Sequence, residues 1–236
     1  RVSPPTIRKA YIVSGVLGLL ALMLGFTLAM AVDRFDTRRV LVLQEANAIG
    51  TTYLRAQLLE EPHRARISKL LVDYTNNRIV LAQAPRGKGT QLLADNDRML
   101  TDLWAATAAA FETIAGLDFS TAFIDSMKAV INLDAARKAS RLAHVPTTVL
   151  AVPAIYIVVT GGVLGYVLTG FRGQFAGAFL ITLIFSLGMI IDLERPTMGS
   201  IVESQTPMEL LSESFKKQTP DVFDRFRSAQ SQELRR

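Results

Sequence analysis

Two short stretches carry side chains able to handle ions. The first is EANAIGTTYLR, Glu45 to Arg55, which follows a long uncharged run and reads as its helical continuation. At 3.6 residues per turn, Val42, Ala46, Ile49, Tyr53 and Leu54 form a broad apolar face, while Gln44, Asn47, Ala48, Thr51, Thr52 and Arg55 form the other. Uncharged amide and hydroxyl groups followed by a guanidinium suit the lining of an ion pathway, where rings of side chains set selectivity. Glu45, Asn47, Thr51, Thr52 and Arg55 are therefore the candidate pore-lining residues, Arg55 favouring anions and Glu45, close to the same face, opposing it. The alternative is a packing surface, with Ala48, Gly50 and the threonines admitting another helix, as in a signalling or scaffold protein whose helical bundle binds a partner. The second stretch is DLERPTMGS, Asp192 to Ser200. Asp192 and Glu194 are candidate ligands for a hard cation such as calcium, which takes oxygen donors. In the other reading the stretch is a helix stop in which Arg195 pairs with a carboxylate.

Other chemistry finds little support. Cysteine is absent, which removes disulfides, thiolate metal sites and cysteine nucleophiles. His63 and His144 lack metal-ligand spacing to each other or to a carboxylate pair, and PRGKGT lacks the strand and full spacing of a phosphate loop. No serine stands in a nucleophile-elbow context. The apolar spans hold no carboxylate or lysine of the kind that marks proton-coupled transport. Neither an enzyme nor a nucleic-acid partner is expected.

The elements that must position these residues follow from hydropathy. Half of the 236 residues are hydrophobic and the net charge is +5, but the chain is segregated. Residues 10–32, 145–171 and 173–191 are uncharged runs, each near the roughly 20 apolar residues that cross a bilayer core, and the last two form a hairpin about Gly170 to Gly173. The expected class is an all-α integral membrane protein whose central domain, 36–144, is a cytoplasmic four-helix unit and whose tail, 192–236, lies on the same side. Arg34, Arg38, Arg39, Arg137, Lys138 and Arg141 flank that domain and only Arg172 sits in the hairpin turn, so the positive-inside rule makes the domain cytoplasmic; the expected location is the plasma membrane. Arg8 and Lys9 then fall outside, which leads us to expect a further span upstream and four in all.

Within the central domain, apolar periodicity predicts helices over Thr37 to Leu59, from Pro62 as first helical residue, over Gln91 to Ile114 and over Phe119 to Ala143. PMELLSESFKK predicts a short amphipathic helix lying on that domain. Gly161 and Gly165, and Gly173 and Gly177, have the small-xxx-small spacing of closely approaching membrane helices.

Three blocks carry a resemblance: EANAIGTTYLRAQLL after the first span, INLDAARKASRLAHVPTTVL leading into the second, and IIDLERPTMGS after the last. They are similar to the hallmark blocks of the bestrophin-like bacterial membrane proteins, whose function is undefined. The more distant likeness to bestrophins implies a pentameric, homo-oligomeric anion channel in the lipid bilayer, with a helical cytoplasmic domain. It also implies a calcium-binding acidic cluster after the final span, the place held here by Asp192 and Glu194.

Overall fold

The computed structural model describes residues 4–84, 89–143, 146–167, 171–194 and 201–224. They form seven helices: α1 (Pro4–Ala56), α2 (His63–Gln83), α3 (Gly89–Ile114), α4 (Phe119–Leu142), α5 (Thr147–Val167), α6 (Phe171–Leu193) and α7 (Thr206–Lys217). No strand occurs among the described residues. The first span and first domain helix are one continuous rod, because DRFDTRR between them contains neither Pro nor Gly to stop the helix. Pro62 caps α2 instead of opening it: its ψ of 3° falls outside the helix, and helical geometry begins at His63. The turn expected around Gly170 falls largely outside the described residues.

Two compact units divide the chain. In the first, Arg1–Thr37 with Arg141–Val202, Leu20, Leu24 and Ala31 of α1, Ile157 of α5 and Leu183, Ile190 and Leu193 of α6 make the core. Two windows are long and apolar enough to cross a membrane, one opening at Ser14 in α1 and the other Thr148–Gly165, and Gly177–Leu193 is a shorter apolar helix. Only 22% of each window is buried within the chain, whereas the core helix of a water-soluble domain hides its apolar side. Phe26, Val158 and Phe185, at 65%, 74% and 73% exposure, point outward. At Gly161 of α5 a Cβ would meet Leu180 of α6 at 3.5 Å, an ordinary contact, and nothing lies within 4 Å at Gly165 or Gly177, so the small-residue spacing marks no close helix approach at these three glycines.

The second unit, Arg38–Ser140 with Glu203–Arg236, is built on a four-helix bundle. Val42, Ile49 and Tyr53 of α1, Ile67, Leu71 and Tyr74 of α2, Leu103 and Ala110 of α3, and Phe123, Met127 and Val130 of α4 fill its core. Each fully buried large apolar side chain contributes roughly 1.5–3 kcal/mol relative to exposure. Leu54, expected on the apolar face, stays 50% exposed at its edge. α7 does lie on the bundle: Met208 and Phe215 enter the core, and the Phe215 ring packs 4.3 Å from that of Tyr53. The Tyr53 hydroxyl donates to the Gln218 carbonyl at 2.8 Å, and Leu211 closes on Gly50, where a Cβ would meet it at 3.2 Å.

Candidate ion pathway and the charge cluster behind it

Asn47, Thr51 and Arg55 recur every four residues and so lie along one line of α1. Asn47 and Thr51 are exposed and Arg55 is half-buried. Facing them, α4 presents Asp125, Ser126 and Ala129, and these side chains with Ala48 line a recess of about 310 Å³. Arg55 Nη1 donates to the Ala122 carbonyl of α4, which ties the guanidinium to one wall. The recess is thus lined by an amide, two hydroxyls, a cation and one acid, Asp125, while its accessible walls are chiefly apolar.

Glu45 and Thr52 are not part of it. Both are 0% exposed, and a side chain hidden within its own chain lines no solvent path. Helical geometry is the reason: Glu45 precedes Asn47 by two residues, about 200° around the helix, and Thr52 stands about 140° from Asn47. Thr52 turns inward and donates to the Ala48 carbonyl at 2.8 Å.

Glu45 instead anchors a buried charge cluster. Its carboxylate accepts from the Tyr74 hydroxyl at 2.6 Å, from Arg78 Nη2 at 3.1 Å and from Arg137 Nη1. Asp134 accepts from Asn96 Nδ2 at 2.9 Å and pairs with Arg78 at 3.1 Å and Lys138 at 2.6 Å. Arg137 reaches on to Glu203 and Gln205, both at 3.3 Å, and so ties the segment before α7 to α4. Three carboxylates thereby face three cations. Burial, reinforced by Glu45, pushes the Tyr74 hydroxyl well above its usual range, so it stays a donor. For Arg78, burial pulls downward, but Glu45 and Asp134 outweigh it and the guanidinium is held charged. Burial likewise opposes charge on Lys138, while its bonds to Asp134 and Asp97 raise it overall.

None of these partners was among the sequence candidates, though a signal existed. Glu45 sits in the stripe Val42, Ile49, Tyr53; Arg78 in Leu71, Tyr74, Leu81; Asp134 and Arg137 continue Met127 and Val130. Charges at the core period of several helices at once indicate a shared buried layer.

At the other candidate site, Asp192 is half-buried in the last turn of α6 and accepts the Ile201 N–H at 3.2 Å through Oδ2. Glu194 is 7% exposed. No group of three or more metal-ligating side chains occurs among the described residues, and Arg195 to Ser200 lie outside them.

The sequence matches a bestrophin-like domain over residues 9–208. No curated protein matches it. The fold is similar to the crystal structure of a membrane protein bearing a glycine-to-alanine substitution, with 14% identity, a TM-score of 0.70 and coverage of 86% of this chain and 84% of that one. It is also similar to a bacterial bestrophin homologue from Klebsiella pneumoniae bearing a tryptophan-to-alanine substitution, with 16% identity, a TM-score of 0.68 and coverage of 87% and 82%. At such identities the structures establish a common fold, while the domain match takes in most of the sequence: the chain belongs to the bestrophin-like family.

Proposed function

We propose that the protein is one subunit of a homo-oligomeric ion channel in the plasma membrane, conducting anions, with the Asn47, Thr51 and Arg55 line of α1 beside the pathway. The carrying observation is that this polar line and its recess stay open to solvent while the opposite face of the same helix is packed and ion-paired. Membership of the bestrophin-like family supports the reading. So does the outward apolar surface of α1, α5 and α6, which suits lipid. A ring of subunits, five by the bestrophin analogy, supplies the axis that one subunit lacks. Repetition of Arg55 around that axis gives a basic ring, tempered by Asp125.

Reconstitution into planar bilayers under a salt gradient tests this. A reproducible reversal potential toward the anion equilibrium value is expected, and Arg55→Glu moves it toward the cation value. Silent bilayers from well-folded protein overturn the channel. A second reading, in which this face binds a partner helix, draws on Val40, Leu43, Leu54 and Leu58, exposed by 49–62% along the same side. Unchanged selectivity in Arg55→Glu, with thiols at positions 47 and 51 unreactive, favours it.

A further inference from the structure

The line of Asn47, Thr51 and Arg55 runs along the floor of a trough. On one side stands α4: Arg55, about 80° around α1 from Asn47, donates to the Ala122 carbonyl, and Ala48 shares the recess with Ser126 and Ala129. On the other side stands α7: Gly50 lies about 60° from Asn47 in the opposite sense, and a Cβ there would meet the Leu211 side chain at 3.2 Å, a tight fit. The two walls run in opposite senses. Along α4, Ala122 meets Arg55 and Arg137 meets Glu45, whereas along α7 Leu211 meets Gly50 and Phe215 then meets Tyr53.

α7 has little of its own to hold it there. It is 12 residues long, about the length at which a lone helix is marginal in water, and its N-cap residue, Gln205, makes no side-chain capping bond. From Glu203 to Asp224 only Glu203, Gln205, Met208 and Phe215 are buried. The two apolar side chains enter the bundle core. The two polar ones both meet Arg137, whose Nη2 donates to Glu203 Oε1 and to Gln205 Oε1 at 3.3 Å, while Gln205 Nε2 donates back to Glu203 Oε1 at 3.3 Å, so the pair closes on the guanidinium together. The other arm of the same guanidinium, Nη1, holds Glu45 of α1. A planar guanidinium can serve both ends at once where an ammonium, a single point charge, cannot. One side chain of α4, only 2% exposed, thus fixes the floor of the trough and the start of the wall opposite its own.

We propose that α7 is the second wall of the pathway and that Arg137 is its positioning residue, joining α7 to the Asn47, Thr51 and Arg55 line so that the trough keeps one width. This rests on the channel reading. A wider trough puts more water between the ring of Arg55 and a passing ion, which weakens the field that selects it.

The chain has no cysteine, so the pair Gly50→Cys with Leu211→Cys reports the seat of α7 alone. In full-length protein in mild detergent, under a fixed glutathione buffer, the pair closes readily, because the new sulfurs take the space that the Leu211 side chain leaves. Arg137→Lys, which keeps the charge but not the two arms, slows closure several-fold. Glu203→Ala with Gln205→Ala frees the start of α7 and leaves Arg137 on Glu45; it slows closure likewise, and it carries the test if Arg137→Lys does not fold. In planar bilayers under a salt gradient both backgrounds shift the reversal potential, closing the bond between positions 50 and 211 restores the parent value, and reduction removes the rescue. A residue that served the bundle alone gives no such rescue. Closure as fast in these backgrounds as in the parent, or a pair that fails to close in the parent, overturns Arg137 as the residue that seats α7 and leaves the channel reading standing. Slow closure with an unchanged reversal potential, or with one that the bond does not restore, overturns α7 as a wall. Silent bilayers from folded parent overturn the channel reading and the pathway role with it, while the closure rates still decide whether Arg137 seats α7.

Discussion

Replacing Glu45 by alanine tests the buried cluster most directly. The carboxylate is 0% exposed and accepts from Tyr74, Arg78 and Arg137. Without it, three cations face two acids. Arg78 keeps Asp134 at 3.1 Å, but Arg137 is left with Glu203 and Gln205 at 3.3 Å, the long end of useful hydrogen bonding. Removing one partner from a buried ion pair costs about 3–5 kcal/mol, and two guanidiniums are affected here, so the upper half of that range is expected. In a chain of this size, that is a fall in Tm on the order of 10 °C. The assay is thermal unfolding in detergent followed by circular dichroism, with Asn47→Ala, two residues away on the open side, as a control expected to change stability by no more than about 0.5 kcal/mol. Coupling is the sharper readout. Arg137→Leu in the Glu45→Ala background removes a charge that has already lost its main partner, so the double variant is less destabilised than the sum of the singles. Strict additivity, or a Glu45→Ala cost below about 1 kcal/mol, refutes the cluster as a buried, mutually dependent unit.

Cysteines at 47 and 51 react with a charged water-soluble thiol reagent and change the current, while cysteines at the buried positions Ile49 and Tyr53 are protected; equal reactivity on both sides refutes the orientation of α1. If Asp192 and Glu194 hold calcium, millimolar calcium raises the Tm of the parent and the pair Asp192→Asn with Glu194→Gln abolishes the rise; a parent indifferent to calcium ends that proposal. The raised Tyr74 ionisation gives a pH signature: the folded state retains its phenolic proton where the unfolded chain loses it, so stability is full below pH 10.0 and declines as pH rises past it. Tyr74→Phe removes that part of the decline, as a stability titration with tyrosinate absorbance would show.

The helices of the bundle were legible because their apolar stripes keep one period over many turns. Boundaries moved where local chemistry decided them, as at Pro62, which stands before α2, and at DRFDTRR, which no breaker interrupts. Asn47, Thr51 and Arg55 were legible as one line because four-residue spacing needs only the helix itself. Glu45 and Thr52 were misplaced by reading proximity in sequence as proximity on a surface. The partners of Glu45 lie 29 to 92 positions away, at Tyr74, Arg78 and Arg137, and no single-helix pattern carries that information. The open apolar face of α3 at Leu93, Trp104 and Phe111, 36–44% exposed, was hidden differently: periodicity finds apolar residues, but not whether the rest of the fold covers them.

The position of Glu45 opposite Asn47 makes the buried cluster an angular key. A smooth helix packed by apolar contacts alone can roll, and a roll of 20° moves a side chain at the helix surface by about 2 Å. Arg78 from α2 and Arg137 from α4 grip the same carboxylate from two directions, so rolling lengthens one bond whichever way the helix turns. Whatever Asn47 and Thr51 meet, their heading is therefore set by charges on the far side of the rod that never touch it.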